Sequence, residues 1–211
     1  ETAEIRFDPS GTVTILSGTT NQGQGHTTMY TQLLCDRLGL EANHVRVIEG
    51  DTDRLAHGTG AGGSRSSAMG TAALMMAADK IVEKCSQIAA VLLEAAVDDI
   101  EFNNGAFTIA GTDRGVGLAE VVRNAFSGTH LPEGMEPGMV AHAAYQGKAP
   151  SYPNGCHICE VEIDPETGYI ELERYVVVDD FGTILNPLLV HGQVHGGVAQ
   201  GVGQILLENT L

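Results

Sequence analysis

At 211 residues the chain is long enough for one large domain or two small ones, and 43% hydrophobic residues can fill a substantial core. Its 11 basic and 27 acidic residues leave a formal charge of −16, which argues against nucleic acid and anionic membranes as partners, since both require a cationic surface. Four cysteines are too sparse for a disulfide scaffold and fit a reducing cytoplasm, no run approaches the ~18 apolar residues of a membrane span, and no signal peptide is visible.

In chain order, Ile5–Phe7 and Thr12–Leu16 alternate across Asp8-Pro9-Ser10-Gly11 and predict a β-hairpin. A helix is predicted over His26–Leu38, with Tyr30, Leu33, Leu34 and Leu38 at helical spacing and Gly39 as its stop. Val45–Glu49 reads as a strand, Ser66–Ala95 as a long helix and Asp99–Ile109 as a second hairpin turning at Asn103-Asn104-Gly105. Leu118–Phe126 is a short helix. Residues 128–153, rich in Gly, Pro, His and Met, read as an irregular connector between a first subdomain at 1–127 and a second at 154–211. The second holds a hairpin, Cys156–Asp164 with Tyr169–Val178 joined by Asp164-Pro165-Glu166-Thr167-Gly168, and a final helix capped by Asn186-Pro187. The expected architecture is α+β, with mixed sheet, hairpin and helix layers in two ββα-type subdomains. The chain begins at Glu1 without Met and stops at Leu211 without a tail, which reads as a piece of a longer polypeptide.

Three strand–loop–helix junctions carry the candidate chemistry: residues 12–26, 45–67 and 176–193. Glycine lets backbone approach a ligand, and helix starts point free N–H groups outward, so such loops suit a large, polar, phosphorylated cofactor. In the first loop, Gly18 and Gly23 have P-loop spacing, but Gln24 stands where the lysine belongs. The dinucleotide glycine pattern also fails there, because Thr28 replaces its third glycine. Gln22 and Gln24 add amide donors and acceptors for a heterocycle's edges; an ordinary glycine-rich turn is the plain alternative. The second loop, Gly58–Ser67, gathers serine hydroxyls, successive N–H groups and Arg65 before a helix.

The final helix carries Gly192, Gly196, Gly197, Gly201 and Gly203, which together cost it about 5 kcal/mol relative to alanine. Close approach of another element or a ligand would offset that. Gln193, Gln200 and Gln204 form a polar stripe; Gln193 is the candidate ligand contact, the other two a solvated face. Cys156-His157-Ile158-Cys159 and His191/His195 are a weak zinc reading, because i and i+3 on a strand face opposite ways. Asp51/Asp53 and Asp179/Asp180 read most simply as caps or solvated carboxylates. No metal ligand set is assigned.

Taken together, Gln22-Gly23-Gln24-Gly25-His26-Thr27-Thr28, Gly62-Gly63-Ser64-Arg65-Ser66, and Asp179-Asp180-Phe181-Gly182 through Asn186-Pro187 to Gly192-Gln193-Val194-His195-Gly196-Gly197 and Gln200-Gly201 resemble the molybdenum hydroxylases. These are the xanthine dehydrogenases, aldehyde oxidases and aerobic carbon monoxide dehydrogenase large subunits, and the last, bacterial branch is the most similar. The resemblance covers nearly the whole chain and keeps the family's motif order.

It implies a molybdopterin cofactor with molybdenum, in the cytosine dinucleotide form. Gln22, Gly23, Gln24 and Gly25 would lie at its pterin or phosphate end; Gly63, Ser64, Arg65 and Ser66 would wrap phosphates; Gln193 would hydrogen-bond the pterin. It also implies oxidative hydroxylation with water as the oxygen source. FAD and 2Fe-2S clusters would sit on flavin and iron–sulfur partner subunits. The family's general-base glutamate, in a downstream Gly-Glu motif, and its upstream substrate-channel half both fall outside these residues. The chain is therefore expected to hold no catalytic residue and to be inactive alone. The competing expectations are a non-enzymatic phosphate- or nucleotide-binding module and a structural domain with a small zinc site.

Overall fold

A computed structural model describes residues 1–55, 57–147 and 152–209. They form two compact units, Glu1–Gly147 and Lys148–Leu211. The architecture is α+β.

In the first unit, β1 (Thr2–Phe7) and β2 (Val13–Ser17) form the predicted hairpin, closed by a Gly11 N–H to Asp8 carbonyl bond of 3.0 Å. α1 (His26–Leu38) then crosses over to β3 (Val45–Glu49), which pairs with β2 in parallel. This crossover matters for the site, because it puts the loop after β2 and the end of β3 at the same edge of the sheet, where Ser17 pairs with Glu49. α1 ends where expected, at Gly39 in the left-handed region.

The long second helix begins differently from expectation. Ser66–Gly70 is a single π-helical turn, and only from Thr71 does regular α2 (Thr71–Leu93) start. Gly70 explains the geometry: a Cβ there would lie 2.1 Å from the Tyr30 hydroxyl. Beyond it, Leu74, Ala77, Ala78, Ile81, Cys85 and Ile88 are buried and run at helical spacing along the face that meets β1. Alanines at two of these positions let the helix lie close to β1.

β4 (Ile100–Asn103) and β5 (Ala106–Ile109) turn at Asn104-Gly105, both at positive φ, as the sequence predicts. A third short strand, β6 (Gly115–Gly117), completes their sheet and leads into α3 (Leu118–Ser127).

The expectation of an irregular connector over 128–153 is corrected by β7 (Val140–Ala144), which pairs antiparallel with β1 and gives the sheet order β3-β2-β1-β7. Val140–Ala144 alternates outward Val140 and His142 with inward Ala141 and Ala143. Such small residues give almost no hydrophobic periodicity, so the alternation is invisible until β1 is there to receive it. Two lysines of α2 hold the segment: Lys84 Nζ donates to the Gly138 carbonyl at 2.7 Å and Lys80 Nζ to that of His142 at 2.8 Å. Met139 is fully buried.

The second unit consists of a two-stranded ribbon, β8 (Asn154–Ile163) with β9 (Ile170–Asp180), followed by α4 (Pro187–Leu206). Asp164 organises the ribbon's turn, accepting from Gly168 N at 2.8 Å through its carbonyl and from Thr167 Oγ1 at 2.6 Å through its carboxylate. A register shift between Glu160 and Val161 leaves Glu173 as a surplus residue on β9. α4 is capped as predicted, the Asn186 side chain accepting from Leu189 N at 3.1 Å.

Candidate functional site

The first glycine loop shapes itself. Asn21 Oδ1 accepts from Gly23 N at 2.9 Å, and Gln24 Oε1 accepts from Gln22 N at 2.5 Å. Gln24 Nε2 donates to the Thr20 carbonyl at 3.1 Å and to Gln22 Oε1 at 3.2 Å. Gln22 Nε2 reaches Thr20 Oγ1 at 3.2 Å. Gln24 is thus turned into the loop, where it braces the backbone.

What the loop presents outward is its end. Gly25 sits in the left-handed region at φ 85°, and α1 begins at the next residue with no side chain capping it. A left-handed residue followed by a right-handed helix curls successive N–H groups toward one point, a concave anion cradle. The second loop repeats the device. Gly63 and Ser64 both have positive φ, at 59° and 55°, and Arg65 returns to the right-handed region as the π turn opens, again with no side-chain cap. Ser64 is one of only three non-glycine residues at positive φ among those described, a conformation that costs about 1 kcal/mol.

The two loops meet. Gly60 N donates to the Gly18 carbonyl at 3.1 Å, and Gly18 and Gly58 approach so closely that a Cβ on Gly58 would lie 2.4 Å from the Gly18 carbonyl oxygen. Tyr30, from the second turn of α1, reaches the Ser66 carbonyl with its hydroxyl at 3.4 Å. Gln22, Gly23, Gln24 and Gly25 are therefore in the same unit and on linked loops with Gly63, Ser64, Arg65 and Ser66. Gln193 is exposed in the second turn of α4, in the other unit.

Arg65 is anchored. Its Nη2 lies 3.3 Å from Glu1 Oε2, and its Nη1 donates to Thr59 Oγ1. The Glu1 side chain is wholly buried and also accepts from Thr59 N at 3.1 Å and Thr59 Oγ1 at 2.6 Å. Burial opposes ionisation of Glu1, but the Thr59 hydrogen bonds, the N-terminal ammonium and the Arg65 charge together outweigh it and hold the carboxyl below its ordinary range. Glu1, Thr2, His57, Arg65, Met69 and Tyr145 line a cleft of about 650 Å³ beside this anchor.

Sequence reasoning missed the residues beneath the loops. Glu49, at the end of β3, accepts from Thr19 Oγ1 at 2.6 Å and contacts His26 Nδ1 at 2.8 Å; Tyr30 lies 2.9 Å from Thr19 Oγ1. A glutamate ending a strand reads as solvated, and only the parallel crossover brings it under α1. The Cys156–Cys159 segment forms no metal centre with its neighbours: among the described residues no three His, Cys, Asp or Glu are placed to hold an ion. His157 instead contacts Tyr175 Oη at 3.1 Å and Asp179 at 3.3 Å.

The family model of the molybdopterin cofactor-binding domain matches residues 1–211. The chain belongs to this family. As a molybdopterin cofactor-binding domain it is 37% identical over 202 residues to the carbon monoxide dehydrogenase large chain of Hydrogenophaga pseudoflava, covering 95% of this chain and 25% of that protein. It is 37% identical over 210 residues to the nicotine 6-hydroxylase large subunit of Paenarthrobacter nicotinovorans, covering 99% and 26%. The crystal structure of quinoline 2-oxidoreductase from Pseudomonas putida 86 superposes with a TM-score of 0.88 at 37% identity, over 100% of this domain and 27% of that chain. The domain thus spans about a quarter of the length of these relatives.

Proposed function

We propose that this domain holds molybdopterin, with molybdenum, in the large subunit of a molybdenum hydroxylase of the carbon monoxide dehydrogenase and aldehyde oxidase kind. The single observation that carries this reading is the pair of linked loops, each ending in a left-handed residue at an uncapped helix start. Their chemistry fits the group. Backbone N–H groups bind phosphate oxygens without adding charge to an acidic surface, and glutamine amides match the donor and acceptor edges of a pterin.

In this reading Gly25, Gly63, Ser64 and Ser66 present N–H groups to the phosphates of a cytosine dinucleotide form, while Gly23, its own N–H held by Asn21, lets the first loop turn close to the ligand. Gln22 and Gln24 hold the pterin end of the first loop in shape, Gln24 by bracing its backbone, while Gln193 offers an amide from α4. Arg65, steadied by Glu1 and Thr59, supplies a fixed positive charge beside the second loop. When bound, the cofactor supplies two-electron oxidation of a carbon centre with water as the oxygen source. The residues here bind and orient it, and none is assigned a proton-transfer role. FAD and 2Fe-2S clusters belong, in this proposal, to flavin and iron–sulfur subunits that associate with the rest of the large subunit in the cytoplasm. No helix among the described residues is long and apolar enough to cross a membrane.

The test is metal content. Gly25→Val forces a β-branched residue into the left-handed region and closes the first cradle. In the complete subunit, produced in a host that makes the cofactor, Gly25→Val and Gln193→Ala should each lower bound molybdenum, Gly25→Val by about tenfold or more. Wild-type molybdenum in both folded variants would remove the assignment. A folded wild type that binds phosphate but never molybdenum would favour a plain phosphate-binding module.

A further inference from the structure

Beneath the two loops lies a polar network that the binding role described above does not use. Ser17, Thr19, His26, Tyr30 and Glu49 come from the end of β2, the first loop, the first and second turns of α1, and the end of β3. All except Glu49 are buried as residues, and the His26 and Glu49 side chains are only 4% and 6% exposed. Among the described residues no buried side-chain polar atom lacks a hydrogen-bond partner.

The protons in this network run one way. Thr19 gives its single hydroxyl proton to Glu49 Oε1 at 2.6 Å. Its oxygen is then left to accept from Ser17 Oγ and from Tyr30 Oη, each at 2.9 Å. A carboxylate offers only lone pairs, so His26 Nδ1, 2.8 Å from the same Oε1, carries a proton toward it. Every arrow ends on Glu49. The far end is the Tyr30 hydroxyl; with its one proton given to Thr19 it meets the second helix by packing, seated in the space left by Gly70 in the π turn and 3.4 Å from the Ser66 carbonyl. One buried carboxylate thereby fixes the first residue of α1 directly and the start of the second helix through Thr19 and Tyr30.

We propose that Glu49 is a positioning residue that holds the two loop-to-helix junctions in register with one another. The proposal rests on reading these junctions as one cofactor cradle. It makes Glu49 and Tyr30 necessary to that cradle although neither need touch the ligand.

Hydrogen–deuterium exchange of the 211-residue chain tests the network itself. Tyr30→Phe keeps the ring and removes only the hydroxyl; Glu49→Ala removes the acceptor; Glu49→Gln retains an acceptor oxygen. Tyr30→Phe should speed exchange about tenfold at 66–70, and Glu49→Ala at both 19–30 and 66–70, with 100–117 unchanged. Glu49→Gln should restore most of the protection. A uniform change along the chain, or none at 66–70, would overturn the proposal. Should Glu49→Ala fail to fold, Tyr30→Phe and Glu49→Gln carry the comparison. In the complete subunit, Tyr30→Phe should also lower molybdenum content, and local loosening with normal molybdenum would overturn the positioning role. A wild type without molybdenum would count against the cradle alone, since the exchange data judge the network independently.

Discussion

Glu1 and Thr59 show how much one hydrogen-bonded carboxylate decides at the second loop. Because the folded state holds the Glu1 carboxyl below its ordinary value of 4.5, the stability it contributes is present above that pH and is lost as pH falls through the lower folded value. Thr59 is the main donor, so Thr59→Val should destabilise the chain by about 1 kcal/mol near neutrality, and the deficit should shrink below pH 4.5. Urea midpoints of wild type and variant at descending pH measure this. A deficit independent of pH would mean that the loop is not held through the carboxylate. At this scale the sequence was only partly readable. Gly25, Ser64 and Arg65 stand in recognisable loops, but Glu49 ends an unremarkable strand and Tyr30 reads as one more apolar position of α1. Their roles come from residues 11 to 36 positions away, which no local pattern records.

Elements bounded by strong turn chemistry were legible: Asp8-Pro9-Ser10-Gly11, Asn104-Gly105 and Asp164 to Gly168 each close a hairpin as their residue types demand. β6 and β7 were not, because Gly-Val-Gly and Val-Ala-His-Ala-Ala gain strand character only from the strands they pair with. The π turn was hidden because Ser-Ser-Ala-Met-Gly is equally compatible with an ordinary helical turn until Tyr30 occupies its flank. α4 poses the complementary case. Its glycines were expected to be offset by close approach, yet a Cβ on Gly197 would meet nothing within 4 Å. In the 211-residue chain Gly197→Ala should therefore stabilise α4, by about 0.5–1 kcal/mol, seen as increased helicity in circular dichroism. Loss of helicity would show that the position is sterically required within this chain.

The two units differ in what holds them. The first has a continuous core from Ile5 and Ile15 through Leu34 to Ile81 and Ile88, whereas no described residue of the second is buried. Cysteines report on each. Burial pushes the Cys85 thiol up to about 12, while Cys156 and Cys159 are exposed. With an aromatic disulfide reagent at neutral pH, Cys156 and Cys159 should react at once, and Cys85 only once urea opens the first unit. Prompt labelling of Cys85 in the native chain would contradict the core described here.

Glu173 gives the ribbon an unusual allegiance. Toward the open end, Ile158, Val176 and Val178 point one way; past the surplus glutamate, Val161, Ile163, Ile170 and Leu172 point the other. A single covering layer can therefore dry only half of these side chains. β8 divides this way by its own spacing, since Ile158 and Val161 stand an odd number of residues apart; the surplus glutamate lets β9, whose apolar residues are all even-numbered, divide with it, so that Val176 stays beside Ile158 and Leu172 beside Val161.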